Sequence, residues 1–265
     1  MTYDSTKRAR TDVELEDRAL FDRIARRYAR KDSVPSSRIA REYQLLATVG
    51  SAIEMAAPVG RVLEIACGIG ASARYLQGRY RHYVGIDHSS EMIEIARWFN
   101  RDNRDVRFEC GNAKEKIDIG GPADVVLAVG ALHHMTDLDR LFETLKEYAA
   151  PGAWFVAVEP YSGNPLIQIM RFARAKIDKG YSADQKFFSR HELNDILSRN
   201  GMREIELVNQ GFFTPPFAQV IMPPQIVTAP LSRLATWLDA GMDRCLVPIL
   251  GPLSWNIVIR ARFPG

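Results

Sequence analysis

The chain has 265 residues, of which 46% are hydrophobic, and its 35 Lys and Arg against 32 Asp and Glu give a formal net charge of +3. This length fits one large α/β domain or a domain with inserts, and so small a net charge is weak evidence for a polyanionic partner. The three cysteines, Cys67, Cys110 and Cys245, form no Cys-x-x-Cys pair, so neither a disulfide framework nor a zinc site is indicated.

Residues 1–57 are predicted to form a helical cap that precedes the main domain. The stretch MTYDSTKRAR lacks the apolar core of a signal peptide, so we expect a cytoplasmic protein. Apolar residues recur at short helical intervals between Leu15 and Tyr28, which predicts an amphipathic helix over 13–30. Pro35 lies between serines and favours the first turn of a second helix, which we expect to run to about residue 56.

Residues 62–75 (VLEIACGIGASARY) predict a strand, a glycine-rich loop and a helix in succession. Gly68 and Gly70 allow the backbone to approach a ligand closely, because they have no Cβ and tolerate positive φ. The following helix directs its free N–H groups towards the same place. Glu64 interrupts an apolar strand, and burying its charge is costly unless the carboxylate is paired or used. We therefore interpret this loop as a ligand-binding site.

Short apolar runs predict six further strands, at 83–87, 106–110, 123–129, 154–159, 202–208 and 255–263. Where helical patterns alternate with these runs, the arrangement predicts an α/β fold with a parallel sheet. Asp87 ends the second strand, 19 residues after Gly68. This spacing suits one βαβ unit and puts a carboxylate where it can accept both hydroxyls of a ribose.

The main domain, residues 58–265, is predicted to carry inserts at about 161–188 and 211–253. The first insert contains a basic stretch between Arg171 and Lys179 and is expected to lie at the rim of the sheet. The second is nearly free of charge, but its prolines argue against a transmembrane helix. Within it, one helix is expected to cover the sheet with an apolar face formed by Leu231, Leu234, Leu238, Met242 and Cys245.

The glycine-rich loop resembles the first motif of the class I S-adenosylmethionine (SAM)-dependent methyltransferases, acid-x-Gly-x-Gly-x-Gly. Here the motif reads Glu64, Ala66, Gly68 and Gly70, with Ala66 in place of the first glycine. The resemblance implies that SAM is the cofactor. It also implies a Rossmann-like sheet of seven mostly parallel strands with the last strand antiparallel, helices on both faces and helical lid inserts.

Other segments resemble further parts of the same family. VGIDHSSEMIEIAR is similar to the second motif, which implies that Asp87 binds the ribose and that His88 and Met92 flank the adenine. Asn112, next to Ala113, stands where the family most often has an aspartate that accepts from the adenine amino group, and an amide oxygen can do the same. The run from Gly130 to His134 resembles the loop after the fourth strand in small-molecule methyltransferases. The order of residues 21–38, which includes Tyr28, resembles the quinone-methylating members, whose first helices close over the cofactor.

Two other functions remain open at this point. Gly68, Gly70 and Ala73 also satisfy the Gly-x-Gly-x-x-Ala pattern of dinucleotide-binding folds, which would indicate an NAD-dependent oxidoreductase. Glu64, the Asn112 segment and the terminal strand argue against that alternative. A non-catalytic SAM-binding module is the second alternative, since this class has no obligatory catalytic residue.

A methyl transfer from a sulfonium requires alignment of donor and acceptor and exclusion of water, and it needs no metal. A general base would help an acceptor that must lose a proton, and the candidates near the carboxyl ends of the strands are His133, His134, Glu159 and Tyr161. The adjacent histidines would alternatively cap the loop or stack on the cofactor. Nucleic acid is disfavoured as a substrate, because the loop after the fourth strand lacks Asn/Asp-Pro-Pro-Tyr/Phe and basic residues are not interleaved with aromatic ones.

The acceptor is expected to be a small, partly apolar or lipid-like molecule, methylated on an oxygen, nitrogen or carbon that the sequence does not identify. Its pocket is predicted to involve Tyr161, Phe213, Phe217 and Met222, because an apolar segment outside the sheet is usually buried against a neighbour or a ligand. The alternative is that residues 211–253 cover the sheet or form the interface of a homodimer.

Overall fold

The computed structural model describes residues 5–50, 53, 59–165, 167, 168, 187–245 and 247–265, and for residues 5–14, 244, 245, 247 and 248 it describes the backbone alone. The predicted basic stretch between Arg171 and Lys179 and the predicted boundary between residues 57 and 58 therefore lie outside the described residues. Among the described helices, none is long and apolar enough to cross a membrane.

Within the described chain, seven strands form one sheet in the order β3-β2-β1-β4-β5-β7-β6. The strands β1 to β5 pair in parallel, and β7 runs antiparallel to both of its neighbours, β5 and β6. This arrangement confirms the predicted mostly parallel sheet with an antiparallel last strand. The strands are β1 (Val59–Ile65), β2 (Tyr80–Asp87), β3 (Val106–Cys110), β4 (Ala123–Val129), β5 (Ala149–Pro160), β6 (Arg203–Gln210) and β7 (Asn256–Arg262).

Helices cover both faces of the sheet, as predicted. The described helices are α1 (Ser5–Ser33), α2 (Pro35–Leu45), α3 (Ala71–Tyr75), α4 (Ser90–Phe99), α5 (Leu138–Tyr148), α6 (Arg190–Arg199), α7 (Pro215–Gln219), α8 (Gln225–Cys245) and α9 (Val247–Leu250). On one face, Leu141 and Leu193 of α5 and α6 pack against the inward residues of the strands. On the other, Leu45 of α2, Ala73 of α3 and Ile93 of α4 do the same.

The first N-terminal helix is longer than predicted, since it extends over Ser5–Ser33 rather than 13–30. The second is α-helical to Leu45 and π-helical over Leu46–Gly50, and its predicted end at about residue 56 lies outside the described residues. Helix α1 packs against α4, where Asp22 Oδ1 accepts from Ser89 Oγ at 2.6 Å. The two helices therefore rest on the elements that carry the glycine-rich loop and the end of β2.

Helix α8 is oriented opposite to the prediction. Leu231 and Leu234 of the predicted covering face are exposed, while Ser232 and Asp239 are fully buried. The buried side chains explain this orientation. Ser232 Oγ donates to the Ser36 carbonyl at 2.8 Å. The Asp239 carboxylate accepts from three backbone N–H groups at 2.8 to 3.1 Å, those of Phe212, Phe213 and Thr214. Leu238 and Met242 are half-buried, and the side chain of Cys245 lies outside the description.

Candidate functional site

A cavity of about 600 Å³ lies at the carboxyl ends of β1 to β4, beneath α1 and α2. This is the edge of a parallel sheet at which α/β proteins bind ligands. All the predicted cofactor residues except Gly70 line it: Tyr28, Glu64, Ala66, Gly68, Asp87, His88, Met92, Asn112, Ala113 and Gly130. The structure therefore brings together residues that are spread over more than a hundred positions of the sequence.

In the glycine-rich loop, every second residue from 66 to 70 has a left-handed backbone conformation. Ala66, Gly68 and Gly70 have φ values of 49°, 52° and 71°. A Cβ added at Gly68 would meet nothing within 4 Å, whereas one added at Gly70 would come within 2.9 Å of Asn100 and Phe108. Gly68 therefore leaves room on the cavity side, and Gly70 allows the loop to pack closely against Asn100 and Phe108. Ala66 keeps the backbone conformation that the family motif assigns to glycine, at some conformational cost.

The Asp87 carboxylate joins the first two strand ends. Its Oδ2 accepts from Gly68 N at 2.8 Å and its Oδ1 accepts from Ser89 N at 2.9 Å. Burial raises the pKa of Asp87, and these two N–H donors act in the opposite direction by favouring the ionised form. Each carboxylate oxygen can accept more than one hydrogen bond, so the group retains capacity for a ligand.

Glu64 lies beneath the loop, 2% exposed. Ser72 Oγ donates to its Oε1 at 2.6 Å, and Tyr83 OH donates to its Oε2 at 2.6 Å. Burial raises the pKa of Glu64 to about 7, even though both hydroxyls oppose this change by favouring the carboxylate. The group therefore both braces the start of α3 against β2 and can change its charge near neutral pH.

The loop after β4 is held by a buried carboxylate, Glu159 of β5. Its Oε1 accepts from Ala131 N at 2.9 Å and Leu132 N at 2.7 Å, and its Oε2 lies 2.7 Å from His133 Nδ1. His133 is not among the residues that line the cavity. Glu159 thus appears in the structure as the group that fixes this loop and orients His133.

The second histidine of the loop, His134, does line the cavity. Its Nδ1 lies 3.5 Å from Asp17 Oδ1, and the ring of Phe21 packs edge-on against it with 5.1 Å between centroids. Asp17 also lies 4.0 Å from His88 Nε2. Helix α1 therefore supplies an acid and an aromatic ring to the wall opposite the sheet.

Two cavity residues have polar atoms that no described residue satisfies. Asp32 is 4% exposed, and its Oδ1 has no hydrogen-bond partner, although Lys31 Nζ lies 3.9 Å away. Arg41 Nε is likewise buried without a partner, while its Nη2 donates to the Ala218 carbonyl at 3.4 Å. Buried groups of this kind usually have a partner. Sequence reasoning missed both residues, because nothing in the pattern of α1 and α2 shows which charges turn inward.

Asp32 lies near α3, the helix that follows the glycine-rich loop. Burial raises the pKa of Tyr75, the last residue of α3, and the charges of Arg38 and Asp32 also act on it.

The predicted acceptor residues do not line this cavity. Tyr161 is half-buried and forms an isolated bridge with Phe188, and Phe213 is exposed on the segment before α7. Phe217 and Met222 are half-buried and are also absent from the cavity lining. Their role in acceptor binding stays a prediction.

Comparison with known proteins gives consistent matches. A family model described as a methyltransferase domain matches residues 17–207. Phosphoethanolamine N-methyltransferase 1 of Arabidopsis thaliana is 29% identical over 128 residues, 47% of this chain and 26% of that protein. A protein of Oryza sativa subsp. japonica described as a probable chloroplastic tocopherol O-methyltransferase is 32% identical over 101 residues, 37% of this chain and 28% of that protein. The matched segments thus span little more than a quarter of these two relatives.

A similar fold occurs in a solved structure from Thermotoga maritima, described as a SAM-dependent methyltransferase and possible histamine N-methyltransferase. It superimposes with a TM-score of 0.61 at 20% sequence identity, over 92% of this chain and 98% of that one.

Proposed function

Because the chain belongs to the methyltransferase domain family, we propose that it transfers a methyl group from SAM to a small, partly apolar acceptor. The observation that carries this proposal is the single cavity lined by the residues of the glycine-rich loop, by Asp87 and by the loops after β3 and β4.

The residues present fit SAM in three respects. Gly68 leaves open space where a side chain would project towards the cavity. Asp87 retains acceptor capacity for a ribose. Asp32 Oδ1 and Arg41 Nε are a buried acceptor and a buried donor without a hydrogen-bond partner among the described residues, and both residues line the cavity. A carboxylate and a guanidinium in the same cavity are complementary to a zwitterionic amino-acid group.

Each part of the cavity is assigned one part of the cofactor. Asp87 accepts from the ribose hydroxyls, Met92 and His88 contact the adenine, and Asn112 lies at the adenine edge. Asn112 Oδ1 already accepts from Lys114 N at 3.0 Å, which fixes the side chain in its loop. Asp32 binds the α-ammonium group and Arg41 binds the α-carboxylate.

SAM supplies a methyl group carried on a sulfonium, which an acceptor attacks in line. The protein must therefore align the acceptor and exclude water. His134 is the candidate general base, because it lines the cavity and Asp17 lies beside its Nδ1. A carboxylate in this position orients the histidine that acts as a base. His133 acts through its contact with Glu159 to position the loop.

The acceptor is proposed to be a small molecule, methylated on an atom that the site does not identify. The relatives described as acting on phosphoethanolamine and on tocopherol support a small acceptor, one polar and one largely apolar. The apolar cavity residues Phe21 and Met135 favour an acceptor with an apolar part.

Isothermal titration with SAM, S-adenosylhomocysteine and NAD tests the proposal. We expect the first two to bind and NAD not to bind. Asp87→Ala should weaken SAM binding by ~1.5 to 3 kcal/mol, the range for a hydrogen bond to a charged group. The exposed Asp102 provides the matched control, since Asp102→Ala should leave affinity unchanged. Binding of NAD in place of SAM would contradict the proposal. Binding of SAM without methyl transfer to any acceptor in a labelled-methyl assay would instead favour a non-catalytic SAM-binding module.

A further inference from the structure

Helix α8 carries its large apolar side chains on the outside of the molecule. Ile226 is 85% exposed, Trp237 is 72% exposed and Leu234 is 50% exposed. Its inner face consists of small and polar residues, with Thr228, Ser232, Ala235 and Asp239 all buried. This is the reverse of an ordinary surface helix, whose apolar stripe faces the core.

The inversion is fixed by specific contacts. The N-terminal part of α8 is tied to the start of α2, where Ser36 N donates to Gln225 Oε1 at 3.0 Å and Ser232 Oγ donates to the Ser36 carbonyl at 2.8 Å. Further along, Asp239 and Asp243 accept from the backbone of residues 211–214. Rotating α8 to bury its leucines would leave these buried acceptors and donors unpaired, which is costly. The outward apolar face is therefore a built feature of the fold.

The charge on this outer surface has one sign. Residues 211–238 contain no Asp or Glu and one charged residue, Arg233, which is exposed. Both acidic residues of α8, Asp239 and Asp243, face inward, where they accept hydrogen bonds from backbone N–H groups. The charged residue that residues 211–238 contribute to this face is therefore a cation, Arg233.

This charge pattern favours one of two binding partners for the face, a second copy of the chain or a lipid surface. Arg233 lies close to the middle of α8, so a two-fold pair of these helices crossing near their centres would bring two Arg233 side chains together. No carboxylate on residues 211–238 is available to separate them. A layer of anionic lipid headgroups, by contrast, would pair with Arg233 and receive the apolar side chains beneath it.

We propose that α8 binds in the plane of a membrane surface that contains anionic lipids. The side chains of Ile226, Leu234 and Trp237 enter the boundary between headgroups and acyl chains, and Trp237 has the amphipathic ring that favours this depth. Arg233 contacts lipid phosphates.

Cosedimentation of the full chain with phosphatidylcholine vesicles, with and without phosphatidylserine, tests the proposal. We expect binding to the vesicles that contain phosphatidylserine, and weaker binding to pure phosphatidylcholine. Leu234→Ser combined with Trp237→Ser should lower the partition coefficient at least ~10-fold, because two exposed side chains lose their burial in lipid. Since both residues are exposed, the variant should remain folded, which circular dichroism checks.

Two matched controls come from elsewhere on the surface. Trp98 is exposed on α4, and Trp98→Ser should leave vesicle binding unchanged. Arg233→Glu should weaken binding to the anionic vesicles, whereas the same change at exposed Arg203 should have little effect. Absence of binding to either vesicle would overturn the proposal. So would a dimer in sedimentation equilibrium that Leu234→Ser with Trp237→Ser dissociates, since the face would then bind a second copy of the chain.

Discussion

Glu64 is the residue at which burial and charge most directly oppose each other. Its pKa is raised to about 7 by burial, so the carboxyl is largely protonated below that pH and ionised above it. A cationic sulfonium in the cavity favours the ionised form. We therefore expect the affinity for SAM to increase as pH rises from about 6 to about 8. The increase should be up to roughly tenfold for each unit by which bound SAM lowers the pKa of Glu64.

Titration calorimetry with both cofactor forms measures this effect. S-adenosylhomocysteine carries a neutral thioether, so its affinity should increase less over the same pH range. In Glu64→Gln the difference between the two ligands should no longer depend on pH. If both ligands show the same pH dependence in the native chain, Glu64 braces the loop and contributes no charge effect.

Asp32 has a distinct prediction, because it is assigned to one end of the cofactor. Asp32→Asn should weaken SAM binding by ~1.5 to 3 kcal/mol, the contribution of a hydrogen bond to a charged group. Methylthioadenosine lacks the amino-acid end, so its affinity should be the same for the variant and the native chain. Equal losses for both ligands in calorimetry would mean that Asp32 supports the cavity wall without contacting the amino group.

At the scale of elements, the strands were predictable and the orientation of α8 was not. The runs 83–87 and 123–129 are short and mostly apolar, as is typical of buried parallel strands, and they match β2 and β4 within a few residues. In α8, the apolar positions identify one face but not whether it turns inward. That depends on Asp239, whose three backbone donors lie 25 to 27 positions earlier in the chain.

Asp239 should accordingly control the stability of the segment before α7. Asp239→Ala leaves three backbone N–H groups without their acceptor, and we expect a loss of at least about 3 kcal/mol in the free energy of unfolding. Asp239→Asn keeps one amide oxygen as an acceptor and should lose less. Urea unfolding followed by circular dichroism measures both variants. If the two variants are as stable as the native chain, these hydrogen bonds do not fix the helix.

At the scale of the whole molecule, the residues of the site form two groups, those that the sequence predicts and those that it does not. Glu64, Gly68 and Asp87 lie at strand ends, and the spacing of strands and loops is visible in the sequence. Asp17, Asp32 and Arg41 reach the cavity only because α1 and α2 fold back over the sheet. Their side chains look like those of any charged helix until the tertiary arrangement is known.

This division gives a prediction for the cap as a unit. A ligand in the cavity contacts α1 and α2 as well as the sheet. These helices can therefore open only after the ligand has dissociated. With S-adenosylhomocysteine at 100 times its dissociation constant, opening should cost about 2.7 kcal/mol more, which slows hydrogen exchange through that opening roughly 100-fold. The affected amides should include the stretch from Phe21 to Arg41. Helix α5 is the internal control, because none of its residues lines the cavity and its exchange by local opening should not change. Equal protection of α5 and α1 in a mass-spectrometric exchange experiment would show that the cap does not open separately from the sheet.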